Sequence, residues 1–217
     1  MKILAVEFSS ERRSVAIVAD GVVLGQAAEV GGRITRALTL TEQALAEAKL
    51  EREDIECIAV GLGPGSYTGI RAGISLAQGW QVARDVKLLG LGVIEVLAAQ
   101  AQARKLSGRV NFLIDAQRNE FYFAAFDLTA SERHVIEPLR LVTFDEARAQ
   151  VQTGALVVWP ELSPKFPGSH AFHPDAAMLG QLAASRRDFT PGETLEPIYL
   201  RETSFVKAPP ARVIAGF

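Results

Sequence analysis

The apolar positions at the start of the chain fall into short runs separated by polar turns. "KILAVEF" at 2–8, "SVAIVA" at 14–19 and "VVLGQAAEV" at 22–30 are rich in aliphatic and β-branched residues, which is typical of strands. Asp20-Gly21, between the second and third runs, favours a tight hairpin turn. The pattern therefore predicts a three-stranded meander.

The following stretch alternates between helix-like and strand-like patterns. Ile34, Leu38, Thr41 and Leu45 recur at helical spacing, which predicts a helix over 34–50. The alternation continues with a strand at 54–61, a helix at 69–84, a strand at 86–92 and a helix at 93–106. A meander followed by such alternation has the element order of a ribonuclease H-like domain, an assignment that rests on analogy of fold.

The second half of the chain begins with a similar order of elements. "RVNFLIDAQRNEFYFAAFDL" at 109–128 predicts strand, break and strand, as "ILAVEFSSERRSVAIV" does at 3–18, and we interpret this likeness as a faint internal duplication. Pro174 suits the first turn of a later helix. The further predicted elements are strands near 139–142 and 155–159 and helices at 144–151 and 173–187.

"SGR" at 107–109 is interpreted as a domain boundary. The predicted fold class is α/β, with two ribonuclease H-like (actin-like ATPase) domains of mixed sheets flanked by helices. We expect an N-terminal domain at 1–106, which carries a glycine loop and the dimerisation helices, and a C-terminal domain at 107–217.

Composition narrows the class of protein. Of the 217 residues, 48% are hydrophobic and 22% are charged, and the net charge of −2 argues against binding of duplex DNA by electrostatics alone. Cys57 is the single cysteine, so the chain holds no internal disulfide, and its apolar setting favours a buried structural thiol. No apolar run approaches the roughly 20 residues of a membrane span, and Glu7 interrupts the first run, so a cytoplasmic protein is expected.

The glycine loop "GLGPGSYTG" at 61–69 lies between a predicted strand and a predicted helix. Free N–H groups at such a helix start can bind phosphate, but the lysine of a P-loop is missing. The alternative is steric, because Gly69, Gly73 and Ala77 form a small-residue strip that lets another element pack closely. The packing interpretation is preferred for the helix.

Two acids, Glu7 and Asp115, end equivalent predicted strands. Carboxylates facing one cleft hold a metal–nucleotide through its waters in duplicated ATPases, whereas the alternative is that each acid merely ends a strand in solvent. No catalytic constellation is visible: His170 and His173 lack zincin spacing, and Ser9 has no local base. Neither a metal site nor a catalytic residue is predicted.

Four segments in order resemble the TsaB (YeaZ) family, in the glycoprotease-like branch of the actin/Hsp70/sugar-kinase superfamily. They are "ILAVEFSSERRSVAIV", "IAVGLGPGSYTGIRAGISLAQGW", "LIDAQRNEFYFAAF" and "LEPIYLRE", and the likeness covers nearly the whole chain. The resemblance implies a non-catalytic subunit without cofactor that pairs with its catalytic paralogue TsaD and forms a homodimer when alone. With the ATPase TsaE, TsaD would transfer threonylcarbamoyl to adenosine 37 of tRNA, so that this chain meets tRNA indirectly.

The sequence departs from the family pattern at three places. Glu7 replaces an aspartate, Ile34-Thr35 replace a histidine-serine pair, and Trp159-Pro160-Glu161 replace a Gly-Asp-Gly turn. These changes argue against nucleotide binding and leave at most a vestigial nucleotide cleft. Its candidate residues are Glu7, Ser9, Gly63, Gly65, Ser66 and Asp115.

Two helices are expected to form a partner interface. On the helix at 69–84 the apolar positions fill an arc of roughly 200°, about twice what one core needs, so a second cover is expected, either the helix at 34–48 or a partner subunit. The candidate interface residues are Leu38, Leu45, Gly69, Gly73, Leu76, Ala77 and Trp80.

The rival functions are an ATP-dependent small kinase or hydrolase of the same superfamily and, more remotely, a metalloprotease.

Overall fold

The two halves of the chain each build a five-stranded sheet in a computed structural model that describes residues 1–31 and 36–200. Within this part of the chain the strands are β1 (Lys2–Glu7), β2 (Arg12–Ala19), β3 (Val22–Val30), β4 (Cys57–Gly61), β5 (Lys87–Leu91), β6 (Gly108–Asp115), β7 (Glu120–Leu128), β8 (Arg133–Thr143), β9 (Ala155–Val158) and β10 (His170–Ala171). The helices are α1 (Ala37–Ala48), α2 (Tyr67–Arg84), α3 (Val93–Ala103), α4 (Phe144–Gln150) and α5 (Ala176–Ala184). Ile34-Thr35 and the last two residues of "LEPIYLRE" lie outside the described residues.

The two sheets share one strand order. The first runs β3-β2-β1-β4-β5 and the second β8-β7-β6-β9-β10, so that β6 stands where β1 stands. In each, the central strand pairs antiparallel with the next strand of the meander and parallel with a later strand, as Leu4 does with Ile17 and with Ile58. The predicted fold class, two ribonuclease H-like domains, is confirmed.

Burial explains why the central strands are continuous apolar runs. Both faces of the first sheet are covered by helices, and every residue of β4 is buried. Cys57 is among them, and burial raises the pKa of its thiol to about 12, which agrees with the structural role expected. The edge strand β3 alternates in exposure instead, because one side of it faces solvent.

The last helix belongs to the first sheet although it follows the second. Leu179 and Ala183 of α5 share a core cluster with Ile3 and Ala5 of β1, whereas α3 packs mainly on the second sheet. Asp175 caps α5 by accepting a hydrogen bond from Met178 N at 2.8 Å. The sequence predicted that Pro174 lies in the first turn of this helix. That prediction was wrong, because Pro174 precedes the N-cap residue Asp175.

The segment after α5 also returns to the first domain. Thr190 N donates to Leu88 O and Ile198 N donates to Leu62 O, at 2.9 and 2.8 Å. Gln78 of α2 holds the backbone oxygen of Gly192 at 2.8 Å. We call residues 190–200 the C-terminal arm. The boundary expected at 107 therefore does not separate the two packing units, since α5 and the arm complete the first domain.

The small-residue strip of α2 faces the sheet of its own domain. A Cβ on Gly69 would lie 2.0 Å from the backbone oxygen of Phe8, and one on Gly73 would lie 3.1 Å from Val60. Ala77 is completely buried. The expectation that this strip meets a partner is thus corrected, because its small size serves the close packing of α2 on β1 and β4.

A glycine-to-alanine pair on α2 tests this packing. Gly69→Ala should lower the free energy of unfolding by about 2 kcal/mol or more, because the backbone of Phe8 cannot yield to the new methyl. Gly79→Ala is the matched control: nothing lies within 4 Å of its Cβ, so helix propensity should raise stability by up to about 1 kcal/mol. Urea unfolding of both variants measures the difference, and equal stabilities would contradict the assigned contact.

Candidate functional site

A cleft of about 520 Å³ separates the two sheets beside the ends of β1 and β6. The β1–β2 turn and the start of α2 form one wall, and the β6–β7 turn and the segment after β9 form the other. The lining residues are Ser9, Ser10, Glu11, Arg13, Gly31, Gly65, Ser66, Tyr67, Asp115, Ala116, Gln117, Tyr122, Trp159, Glu161, Leu162 and Lys165. Charges of both signs therefore face the cleft.

Glu7 does not line this cleft. Its side chain is fully buried, and its Oε1 accepts hydrogen bonds from Ser9 N and Ser9 Oγ at 2.8 and 2.5 Å. Its Oε2 has no hydrogen-bond partner among the described residues and lies against Gly61. Burial raises the pKa of Glu7 to about 7, against the opposing effect of the Ser9 bonds.

Asp115 does stand in the cleft wall, where it closes a turn. Its Oδ1 accepts a hydrogen bond from Gln117 N at 2.7 Å, as an aspartate that ends a strand commonly does. The cleft therefore holds one of the two strand-terminal acids, and the other is turned into the protein. Within the described part of the chain, no cluster of three metal-ligating side chains exists.

The glycine loop is tied to the first strand of the domain. Gly63 and Gly65 have φ of +88° and +154°, which side chains rarely adopt. Ser66 N donates to Ser9 O at 2.6 Å, and Ser66 Oγ accepts from Gly69 N at 3.3 Å as the N-cap of α2. The backbone amide and the hydroxyl of Ser66 are therefore both engaged in hydrogen bonds within the protein.

Trp159 bridges the two domains at this loop. Only 8% of its surface is exposed, and its ring carbon Cη2 would lie 2.9 Å from a Cβ on Gly65. An anion that approached the backbone of Gly65 from this side would have to displace the ring. Sequence reasoning identified the tryptophan as a departure from the family, and the structure adds the residue that it covers.

A junction of titratable groups lies beside Trp159, and sequence reasoning missed it. His173 Nε2 lies 3.2 Å from Glu161 Oε1. Burial raises the pKa of Glu161, and the negative charge of Glu11 in the first domain raises it further. Burial lowers the pKa of His173. Glu11 and Glu161 are 150 positions apart in the sequence, so no local pattern could have shown that they meet.

A second concavity, of about 550 Å³, runs between α1 and α2 on the outer side of the first domain, and we call it the α1/α2 groove. Leu38, which is 64% exposed, lines it together with Leu76 and Trp80. The other four candidate interface residues are buried beneath it, namely Leu45, Gly69, Gly73 and Ala77. Helix α1 therefore covers only part of the wide apolar arc of α2.

None of the helices in the described residues is long and apolar enough to span a bilayer.

A family model described as "TsaD: tRNA N6-adenosine threonylcarbamoyltransferase" matches residues 32–158. The protein named "tRNA threonylcarbamoyladenosine biosynthesis protein TsaB" from Escherichia coli (strain K12) is 33% identical over 127 residues, which cover 58% of this chain and 55% of that protein. Its namesake from Bacillus subtilis (strain 168) is 28% identical over 124 residues, which cover 56% and 53%. The alignments thus span about half the length of these relatives.

A solved structure titled "YeaZ from Pseudomonas aeruginosa" superposes with a TM-score of 0.77 at 26% identity, covering 92% of this chain and 99% of that chain. The resemblance to TsaB (YeaZ) proteins inferred from the four segments is confirmed.

The buried carboxyl of Glu7 makes stability depend on pH. The pKa of Glu7 is about 7 in the folded protein and 4.5 in the unfolded chain. The neutral carboxyl therefore makes its full contribution to the free energy of unfolding below pH 4.5, and this contribution is lost as pH rises through 7. The loss should amount to roughly 3 kcal/mol, at about 1.4 kcal/mol per pKa unit. Glu7→Gln mimics the neutral acid, so its free energy of unfolding should exceed that of the unaltered chain at pH 8 and match it at pH 4.5.

The exposed carboxylate of Glu196 supplies the control variant, Glu196→Gln. Chemical unfolding between pH 4.5 and 8 gives the free energy of unfolding of the two variants and the unaltered chain. If the free energy depends on pH in the same way for Glu7→Gln and the unaltered chain, the raised pKa of Glu7 is contradicted.

Proposed function

We propose a role for this chain from one premise: it belongs to the family of tRNA N6-adenosine threonylcarbamoyltransferases, whose model matches more than half of its residues. Within that family it acts as a non-catalytic subunit in the synthesis of N6-threonylcarbamoyladenosine at position 37 of tRNA. It pairs with the catalytic paralogue TsaD and supports threonylcarbamoyl transfer together with the ATPase TsaE. It forms a homodimer when alone and works in the cytoplasm.

The α1/α2 groove is the observation that carries this proposal. Leu38 leaves most of its side chain in solvent, and the ring of Trp80 and the side chain of Leu76 remain partly exposed beside it. A contiguous apolar surface rimmed by charged residues such as Glu42 and Arg84 is typical of a protein–protein interface. The relatives are named as tRNA threonylcarbamoyladenosine biosynthesis proteins, and a paralogue of similar fold would offer matching helices.

The cleft supports the non-catalytic part of the proposal. Glu7 is buried against Gly61, and Asp115 is engaged by the backbone of its own turn. Trp159 stands over Gly65, where a nucleotide phosphate would need close access. A cleft arranged in this way favours a scaffold over an ATP-dependent enzyme.

A kinase or hydrolase remains the second candidate because the cleft is polar and has the volume of a small-molecule site. Arg13 and Lys165 would then face an anionic substrate, and Asp115 would hold a hydrated metal. Binding of nucleotide to the isolated chain separates this candidate from the scaffold.

A charge placed in the α1/α2 groove tests whether the chain pairs with its partners through this surface. Leu38→Arg should leave the chain folded, since this side chain is 64% exposed, but should weaken pairing with TsaD and with a second copy at least thirtyfold, or about 2 kcal/mol. Sedimentation measures pairing, and thermal melting followed by circular dichroism measures folding.

Val135→Arg is the matched control, because Val135 is 59% exposed on β8 in the other domain. Native affinity of Leu38→Arg for both partners would exclude the groove as the interface. Failure of the unaltered chain to pair with TsaD at micromolar concentration would overturn the proposed role itself.

Calorimetry with ATP and Mg²⁺ tests the second candidate. The isolated chain should not bind in the low micromolar range, because the ring of Trp159 covers Gly65. A folded Trp159→Gly variant should bind more tightly than the unaltered chain. Low micromolar binding by the unaltered chain would favour the kinase or hydrolase.

A further inference from the structure

A cluster of two tyrosines and an arginine forms where the C-terminal arm meets the first turns of α2, and its residues are not among those that line the α1/α2 groove. The rings of Tyr67 and Tyr199 stack with centroids 5.8 Å apart and planes inclined by 30°. The guanidinium carbon of Arg71 lies 4.2 Å from the centroid of Tyr67, and Arg71 Nε donates to the hydroxyl of Tyr199 at 3.1 Å. We call these three residues the aromatic–arginine cluster.

The cluster stays open to solvent although its members contact one another. Tyr67 is 56% exposed and Tyr199 is 46% exposed. Tyr67 also lines the mouth of the interdomain cleft. Large aromatic side chains that are about half exposed leave apolar surface that a ligand can cover.

Arg71 is held in place without being neutralised. Among residues 1–31 and 36–200, it forms no salt bridge with a carboxylate, and its terminal Nη1 and Nη2 groups make no hydrogen bond. The hydrogen bond that Arg71 donates to the hydroxyl of Tyr199 raises the pKa of Arg71 further above its ordinary value, so the charge is permanent. A guanidinium held by the ring of Tyr67 and the hydroxyl of Tyr199, whose outer fork has no partner among the described residues, is preorganised for an oxyanion.

Unpaired RNA offers a partner for each kind of side chain in this cluster. The planar fork of an arginine binds phosphate through two parallel hydrogen bonds, and tyrosine faces stack on unpaired bases. Lys165 lines the opposite wall of the cleft, and Arg118 is exposed in the β6–β7 turn, next along the chain to the cleft residue Gln117. The net charge of −2 means that such a contact is local and does not arise from a generally basic surface.

We propose that Tyr67, Arg71 and Tyr199 form a direct contact for RNA, in which Arg71 binds a backbone phosphate and Tyr199 stacks on an unpaired base. The contact rests on the proposed function, because the RNA that such a complex meets is its tRNA substrate. It replaces the indirect relation between this chain and tRNA that the family resemblance implied.

Charge reversal at Arg71 tests the contact in the complex of the full chain with TsaD. Arg71→Glu should weaken binding of unmodified tRNA about tenfold or more and should reduce the slope of log affinity against log salt by about one unit. Arg187→Glu, at an exposed position three residues after the end of α5, changes the net charge equally and should alter affinity less than about twofold. Ultraviolet cross-linking to tRNA should label Tyr67 or Tyr199 in the unaltered chain.

The outcomes separate this proposal from the proposed function. Both variants should pair with TsaD as the unaltered chain does, since neither residue lines the groove. Equal loss of tRNA affinity in both variants would overturn the contact, as would unchanged affinity for Arg71→Glu. Lost pairing with TsaD in Arg71→Glu would assign the cluster to a protein partner. If the unaltered chain does not pair at all, the proposed function fails, and cross-linking of the isolated chain to tRNA then decides the contact alone.

Discussion

The close approach of α2 to the first sheet determines most of what the molecule can present to others. Gly69 and Gly73 bring the helix so near to β1 and β4 that even a methyl group would meet the backbone of Phe8. The helix is thereby fixed along one side, and its other two sides are left for separate contacts. One of them forms the α1/α2 groove, and the other holds the C-terminal arm through Gln78 and Arg71.

The return of α5 and the C-terminal arm to the first domain determines how the walls of the cleft are connected. Because the chain leaves the second sheet near His173 and packs on β1 and β2, the first domain is completed only after the second sheet has been formed along the chain. Trp159 and the Glu11–Glu161 contact lie at this junction and connect the cleft walls. The superfamily architecture is retained, while the space beside the glycine loop is occupied by protein.

The buried carboxyl of Glu7 lowers the stability of the folded chain at neutral pH. A carboxyl group at the end of β1 is buried without a partner for one oxygen in the described chain, and burial brings its pKa to about 7. An acid that faced the cleft would remain solvated and charged, so the buried position costs stability at neutral pH and offers the cleft no charge in return. A buried, largely neutral acid at this position agrees with the proposed scaffold role better than with a charged group in a nucleotide site.

The sequence by itself determined the elements, their order and the family. The apolar runs of β1, β2 and β4 and the helical spacing in α2 are local patterns with periods of two and 3.6 residues, so they can be read without knowledge of distant contacts. Tertiary structure alone decided which element covers which face. The strip of Gly69, Gly73 and Ala77 indicated close packing, but only the fold shows that the neighbour is the domain's own sheet. Tyr199 joins Arg71 across 128 positions, and α5 joins β1 across more than 160, because packing connects residues by the surfaces they bury and not by their order along the chain.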